Sequence, residues 1–144
     1  MSPQATLSPA DVAKASVTAY NEKNWDRVKE TVTPNVVYDE VATNRRVTGS
    51  NEVIEAWKGW AKALPDSKAT FEREVVSGDS AILELTWRGT HTGPLQTPAG
   101  EIAPTGRPIE LRAVQVVDVE DGKAKSIRQY FDMATLLEQI GVRK

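Results

Sequence analysis

Cysteine is absent from this 144-residue chain, and histidine occurs once. The first absence excludes disulfides, thiolate nucleophiles and cysteine-based metal sites, and the second argues against a metal held by imidazoles, because one histidine cannot build such a site. Neither sign of charge dominates, since eighteen basic and twenty acidic residues leave a formal charge of −2. Spread along the chain, those charges give no electrostatic footprint for nucleic acid or an anionic membrane surface. Long apolar runs are missing too: nothing approaches the ~20 apolar residues that a membrane-spanning helix needs. The opening stretch Met1-Ser2-Pro3-Gln4-Ala5-Thr6-Leu7 has neither the basic leader nor the apolar core of a signal peptide. Phosphate loops, dinucleotide fingerprints and nucleophile elbows are likewise missing, which argues against covalent catalysis. The expectation is a soluble, cytoplasmic protein with no cofactor and no metal.

What remains is an ordinary globular composition. Hydrophobic residues at 40% and charged residues at 26% suit a single domain over residues 1–144. A chain of this size buries roughly 68–70% of its unfolded surface, which leaves room for a core and one pocket.

The patterning divides into helices first and strands later. Ser8-Pro9-Ala10-Asp11 reads as a helix start, with Ser8 as N-cap and Pro9 in the first turn; Val12, Ala15, Ser16, Ala19 and Tyr20 then share one face. A short helix over 25–32 follows, closed by Pro34. A strand over 36–41 leads into a polar loop through Arg45, Arg46 and Gly49. Val53, Ile54, Trp57, Trp60, Ala61 and Leu64 repeat at helical spacing over 51–64, and Pro65-Asp66 ends that helix. Strands are expected over 69–76, 81–91, 109–119 and 125–131, with tight turns at Ser77-Gly78-Asp79-Ser80 and Glu120-Asp121-Gly122-Lys123. Leu136, Leu137 and Ile140 mark a last helix, stopped by Gly141. Helices followed by a strand meander give an α+β fold in which a curved sheet wraps around the helices, and its concave face is where a small-molecule pocket forms.

Several side chains qualify for chemistry. Asp132 ends the run Ser126-Ile127-Arg128-Gln129-Tyr130-Phe131-Asp132, where a carboxylate beside aromatic rings loses solvation and becomes a better base. It is equally the N-cap of the helix that follows. His91 could hydrogen-bond a substrate carbonyl or shuttle a proton, or serve only the structure. Strand alternation sends Tyr38 and Glu40 to one face and Asp39 to the other, so only one set faces a pocket. Trp57, Trp60 and Trp87 are core residues or the lining for a planar ligand. Gln115, an amide within an apolar strand, needs a partner in the ligand or in the protein. The segment 94–108, with four prolines and two glycines, is long enough to act as a lid.

Together these blocks resemble the SnoaL-like polyketide cyclases and ester cyclases of the nuclear-transport-factor-two-like superfamily. The resemblance spans about residues 10 to 141. It is carried by Tyr20-Asn21 leading to Trp25, Gly49, Pro65-Asp66, Gly89-Thr90-His91-Thr92-Gly93, Thr105-Gly106-Arg107-Pro108, Tyr130-Phe131-Asp132 and Leu137-Glu138-Gln139-Ile140-Gly141. It implies a cone-shaped sheet and a homodimer. It also implies cofactor-free proton abstraction and intramolecular aldol closure on a polyketide-like ketone, with Asp132 as base. His91 would assist, and Tyr38, Trp57, Trp87, Gln115 and Tyr130 would line the substrate site, while a non-catalytic ligand-binding module of the same fold is the alternative. Epoxide hydrolases of this fold pair an Arg and an Asp where this chain carries Thr86 and Arg88, and ketosteroid isomerases place a tyrosine on the first helix where it carries Ser16. Both departures weaken those readings.

Overall fold

A computed structural model describes residues 8–142; the opening stretch read above for a leader lies outside them. The elements in order are α1 (Pro9–Asn21), α2 (Trp25–Thr31), β1 (Val32–Glu40), β2 (Arg45–Thr48), α3 (Ser50–Ala63), β3 (Lys68–Ser77), β4 (Ser80–Thr90), β5 (Leu95–Thr97), β6 (Gly100–Ile102), β7 (Pro108–Glu120), β8 (Lys123–Phe131) and α4 (Met133–Gln139). The α+β class and the helix-first order match the sequence reading.

Local chemistry explains the boundaries. Ser8 Oγ accepts from Asp11 N at 3.1 Å and Asn24 Oδ1 accepts from Arg27 N at 3.1 Å, so each early helix has one of its unpaired N–H groups satisfied. The hairpin between β7 and β8 turns on Asp121 (φ 51°) and Gly122 (φ 76°), two left-handed residues of the kind that match strand twist. Gly141 (φ 80°) ends α4 as expected.

A six-stranded mixed sheet runs in the order β2-β1-β8-β7-β4-β3, with β1 parallel to β8 and the other pairs antiparallel. Two expectations need correction. Pro34 does not close a helix but lies within β1, which begins at Val32; a break in the pairing with β8 between Val32 and Val37 accommodates a residue with no N–H to donate. The loop through Arg45 and Arg46 is strand β2, an edge strand whose half-buried and exposed residues alternate without an apolar face to betray it. The segment read as a lid contains the small β5–β6 hairpin.

Two apolar clusters fill the concave side. Val17, Tyr20, Trp57, Leu83, Leu85 and Ile127 belong to the larger one, under α1 and α3, while Leu64, Leu95, Ile109, Leu111, Leu136 and Ile140 form the second, under α4. Trp87 packs against both. No helix among the described residues is long and apolar enough to cross a membrane.

Candidate functional site

Where the two clusters meet, a chamber opens between helices and sheet. Val17 and Tyr20 come from α1, Trp57 and Trp60 from α3, Trp87 from β4, Ile109, Leu111 and Gln115 from β7, and Gln129 and Phe131 from β8; Tyr38, Leu64, Ser67 and Leu136 complete the lining. Period-two alternation places the β8 pair: Ile127, Gln129 and Phe131 face inward together, and their neighbours face out. The cavity volume is about 60 Å³, enough for a few waters or the head of a small ligand. Six of the fourteen lining residues are aromatic, and they are set edge to face: Tyr20 meets Trp87 at 5.3 Å and Trp57 at 6.3 Å, and Tyr38 meets Trp57 at 5.7 Å. Each such pair is worth about 0.5–1.5 kcal/mol beyond the area it buries, so the wall is stiff.

One end of this wall is polar. Glu40, fully buried behind it, accepts from the Tyr38 hydroxyl at 2.6 Å, Trp60 Nε1 at 2.7 Å, the Thr43 hydroxyl at 2.6 Å and the Arg45 guanidinium at 3.1 Å. A buried carboxylate is tolerated only with such a set of donors. Tyr38 Oη in turn accepts from Gln129 Nε2 at 2.9 Å, and Gln129 Oε1 accepts from Trp87 Nε1 at 3.0 Å and Gln115 Nε2 at 3.1 Å. Gln115 Oε1 is buried and has no partner among the described residues. Burial first, and the Glu40 charge second, hold the Tyr38 phenol well above the usual tyrosine range. Across the chamber Tyr20 shares a 2.7 Å hydrogen bond with Ser67, and burial pushes its phenol up to about 12. Both tyrosines stay protonated at neutral pH.

The sequence-predicted residues divide between this chamber and other places. Tyr38, Trp57, Trp87 and Gln115 line it. Tyr130 does not: it lies on the outer face of β8, 43% exposed, because its neighbours Gln129 and Phe131 take the inward positions. Asp132 is exposed and caps α4, accepting from Ala134 N at 3.0 Å and the Thr135 hydroxyl at 2.7 Å. It borders an outer groove with Thr86, Arg88, Glu110 and Arg112 instead of the chamber. His91 is fully buried away from the lining; its Nδ1 lies 3.0 Å from the Thr105 hydroxyl and accepts from Thr105 N at 3.3 Å, and its Nε2 has no hydrogen-bond partner among the described residues. Burial lowers its pKa below the ordinary histidine value, favouring the neutral ring. Asp39 takes the side of β1 opposite Tyr38 and Glu40. Ser16 is buried and donates to Ala13 O at 3.2 Å, whereas Tyr20, one turn further along α1, does reach the chamber. Among the described residues no group of three or more His, Asp or Glu side chains could hold a metal ion.

A family model for the SnoaL-like polyketide cyclases matches residues 10–140, nearly the whole chain. The protein belongs to the SnoaL-like polyketide cyclase family. Solved structures share its architecture. IdmH of Streptomyces antibioticus, a candidate polyketide cyclase, is 25% identical and superposes with a TM-score of 0.79 over 93% of this chain and 99% of its own. AclR of Streptomyces galilaeus, a candidate hydroxylase, is 22% identical with a TM-score of 0.77, covering 92% of this chain and 80% of its own. A protein of Catenulispora acidiphila with a ketosteroid isomerase-like fold, crystallised with trimethylamine, is 15% identical with a TM-score of 0.78, covering 94% and 95%. A comparison with curated proteins gives no match.

Two of the SnoaL-like blocks prove to be joints that shape this chamber. In Gly89-Thr90-His91-Thr92-Gly93, the N–H groups of Thr92 and Gly93 donate to Ala63 O at 3.1 and 3.0 Å, tying the end of β4 to the end of α3. A Cβ on Gly93 would lie 1.9 Å from Lys62 O, so no other residue fits this approach. In Pro65-Asp66, the Asp66 carboxylate accepts from Thr90 N at 2.7 Å and the Thr90 hydroxyl at 2.8 Å. Sequence reasoning missed Gln129, Tyr20 and Ser67 as lining. Parity with Ile127 and Phe131 was a usable signal for Gln129; Ser67 lies in an irregular segment and offered none.

Proposed function

We propose that this SnoaL-like protein binds a small, largely apolar molecule in the aromatic chamber, as a ligand-binding member of its family. The observation that carries this reading is the absence of any Asp, Glu, His, Lys or Arg among the fourteen residues lining the chamber. A general base must come within hydrogen-bond reach of the proton it removes. Glu40, the carboxylate that accepts from the lining residues Tyr38 and Trp60, is saturated by four donors, and Asp132 sits in a helix cap on the outer groove. Apolar walls with a few placed polar groups are what a small-molecule site requires.

Cyclase chemistry is the second reading, supported by family membership. In it Asp132 leaves its cap and removes a proton next to a ketone, the enolate carbon attacks a second carbonyl of the same molecule, and the alkoxide so formed takes the proton back from Asp132, closing a ring without a cofactor. The homodimer implied by the resemblance and the cytoplasmic location expected from the sequence belong to the same proposal, and sedimentation of the purified protein tests the first of them.

Nuclear magnetic resonance titration with toluene, anisole and phenol provides the binding test, read on the tryptophan indole and glutamine side-chain signals. Saturable shifts at Trp57, Trp87 and Gln129, lost in a chamber-filling Leu111→Trp variant, are expected. Shifts confined to the outer groove, or identical in the filled variant, would sink the reading. A turnover screen of aromatic polyketide esters, epoxides and β,γ-unsaturated ketones addresses the rest. Binding without turnover is expected; turnover that a folded Asp132→Asn protein loses would instead establish the cyclase reading.

A further inference from the structure

The hydrogen-bond directions at the polar end of the chamber follow from chemistry alone. Indole Nε1 can only donate, so the Gln129 atom 3.0 Å from Trp87 Nε1 is the carbonyl oxygen. The other Gln129 group is therefore the NH₂, and it donates to Tyr38 Oη at 2.9 Å. Tyr38 must then send its own proton to the Glu40 carboxylate, 2.6 Å away, and that carboxylate, already holding Trp60 Nε1 and Arg45, can only accept. On the other side, Gln115 faces Gln129 Oε1 at 3.1 Å and must present its NH₂ there. Each donor-only group fixes the next, and the acceptor left over is Gln115 Oε1, buried and without a partner among the described residues.

Gln115 is 2% exposed, and a buried amide oxygen without a partner loses the hydration it had in the unfolded chain. Neither fixed terminus can flip to relieve it, because Trp87 has no acceptor and the Glu40 carboxylate no donor. From this fixed order we propose that the chamber selects ligands carrying a neutral hydrogen-bond donor, an O–H or N–H on an otherwise apolar ring-sized body, whose proton Gln115 Oε1 accepts. The inference rests on the chamber being the ligand site and adds the polarity of the group it reads. It also sets the site apart from an oxyanion hole, which needs donors aimed at the ligand oxygen. At this end the atom left free is an acceptor.

A ligand series on the wild-type protein provides the test, so nothing depends on a variant folding. Phenol offers a hydroxyl, aniline a neutral N–H donor, anisole only an acceptor and toluene neither, on bodies of similar size. Phenol and aniline are each expected to bind about tenfold more tightly than toluene and anisole, the factor one buried hydrogen bond supplies. In Gln115→Met, checked for folding by its melting profile, that preference shrinks to within about twofold, whereas an exposed-site control such as Lys125→Met leaves it intact. Equal affinity across the four probes, or tighter binding of anisole, overturns the donor selectivity and leaves the chamber as a ligand site. Failure of all four probes to bind at their solubility limits overturns both.

Discussion

Glu40 and Asp132 are carboxylates at the ends of neighbouring parallel strands, and the fold treats them in opposite ways. Glu40 ends β1, where an acid on a strand reads as solvent-facing, yet it is fully buried with donors from four residues on β1, the turn after it, β2 and α3. Asp132 follows β8 beside aromatic rings, a setting that reads as a desolvated base, yet it is exposed and holds the first turn of α4. The contrast teaches that a carboxylate's role is set by which donors the tertiary fold brings to it. Sequence neighbours decide only its parity. Glu40 shares the inward parity of Tyr38, while Asp132 falls one residue beyond the inward-facing Phe131.

Breaking the buried member of the pair carries the largest expected effect. Glu40→Ala strands the Tyr38 hydroxyl, Trp60 Nε1 and Arg45 without their acceptor, and is expected to cost about 3–5 kcal/mol in chemical denaturation. A loss below about 1 kcal/mol would mean that water or a rearranged network replaces the carboxylate. Asp132→Ala tests the exposed member. Loss of a helix cap is expected to cost ~1 kcal/mol, with phenol affinity in the chamber unchanged; a large loss of affinity would bring Asp132 into the site after all.

The smallest effect expected is a pH dependence that comes from His91. His91 is held neutral by burial, so its folded-state pKa lies below the ordinary value of 6.5. Below 6.5 the unfolded chain binds a proton that the folded chain resists, and stability falls as pH drops from 6.5 through the lowered folded value; above 6.5 the contribution is constant. Denaturation series between pH 7.5 and 5 on wild type and His91→Asn, at ~0.5 unit intervals, isolate this slope as the difference between the two proteins. A slope of the same size in both would remove His91 as its source.

Much of the frame was legible in the chain itself. The strand runs marked β3, β4, β7 and β8 to within two residues. Strands β4, β7 and β8 each bury one face, so alternation survives in their sequence, while β3 is mostly exposed and was marked by its β-branched residues and the Gly78 turn. Ser8, Gly141 and the Asp121-Gly122 turn read correctly because caps and turns are local devices. Strand β2 was hidden because an edge strand of Arg45 and Arg46 has no apolar face, and β1 began early because its pairing break admits Pro34. Of the residues read as candidate lining, Tyr38, Trp57, Trp87 and Gln115 do line the chamber. Tyr130 was assigned to the wrong face, since a sheet residue's neighbours and not its aromaticity decide which side it takes.

By itself, then, the sequence determined the class of fold, the aromatic character of the interior and the exclusion of thiolate chemistry, because composition and local periodicity are properties of the chain. Only the tertiary structure decided which carboxylate is buried and which merely caps a helix. It alone brought Gln115, Gln129, Trp87 and Tyr38 from four different strands into one hydrogen-bonded row. The physical reason is that a hydrogen bond depends on donors and acceptors within about 3 Å of each other, and residues up to 91 positions apart reach that distance only once the sheet has closed over the helices.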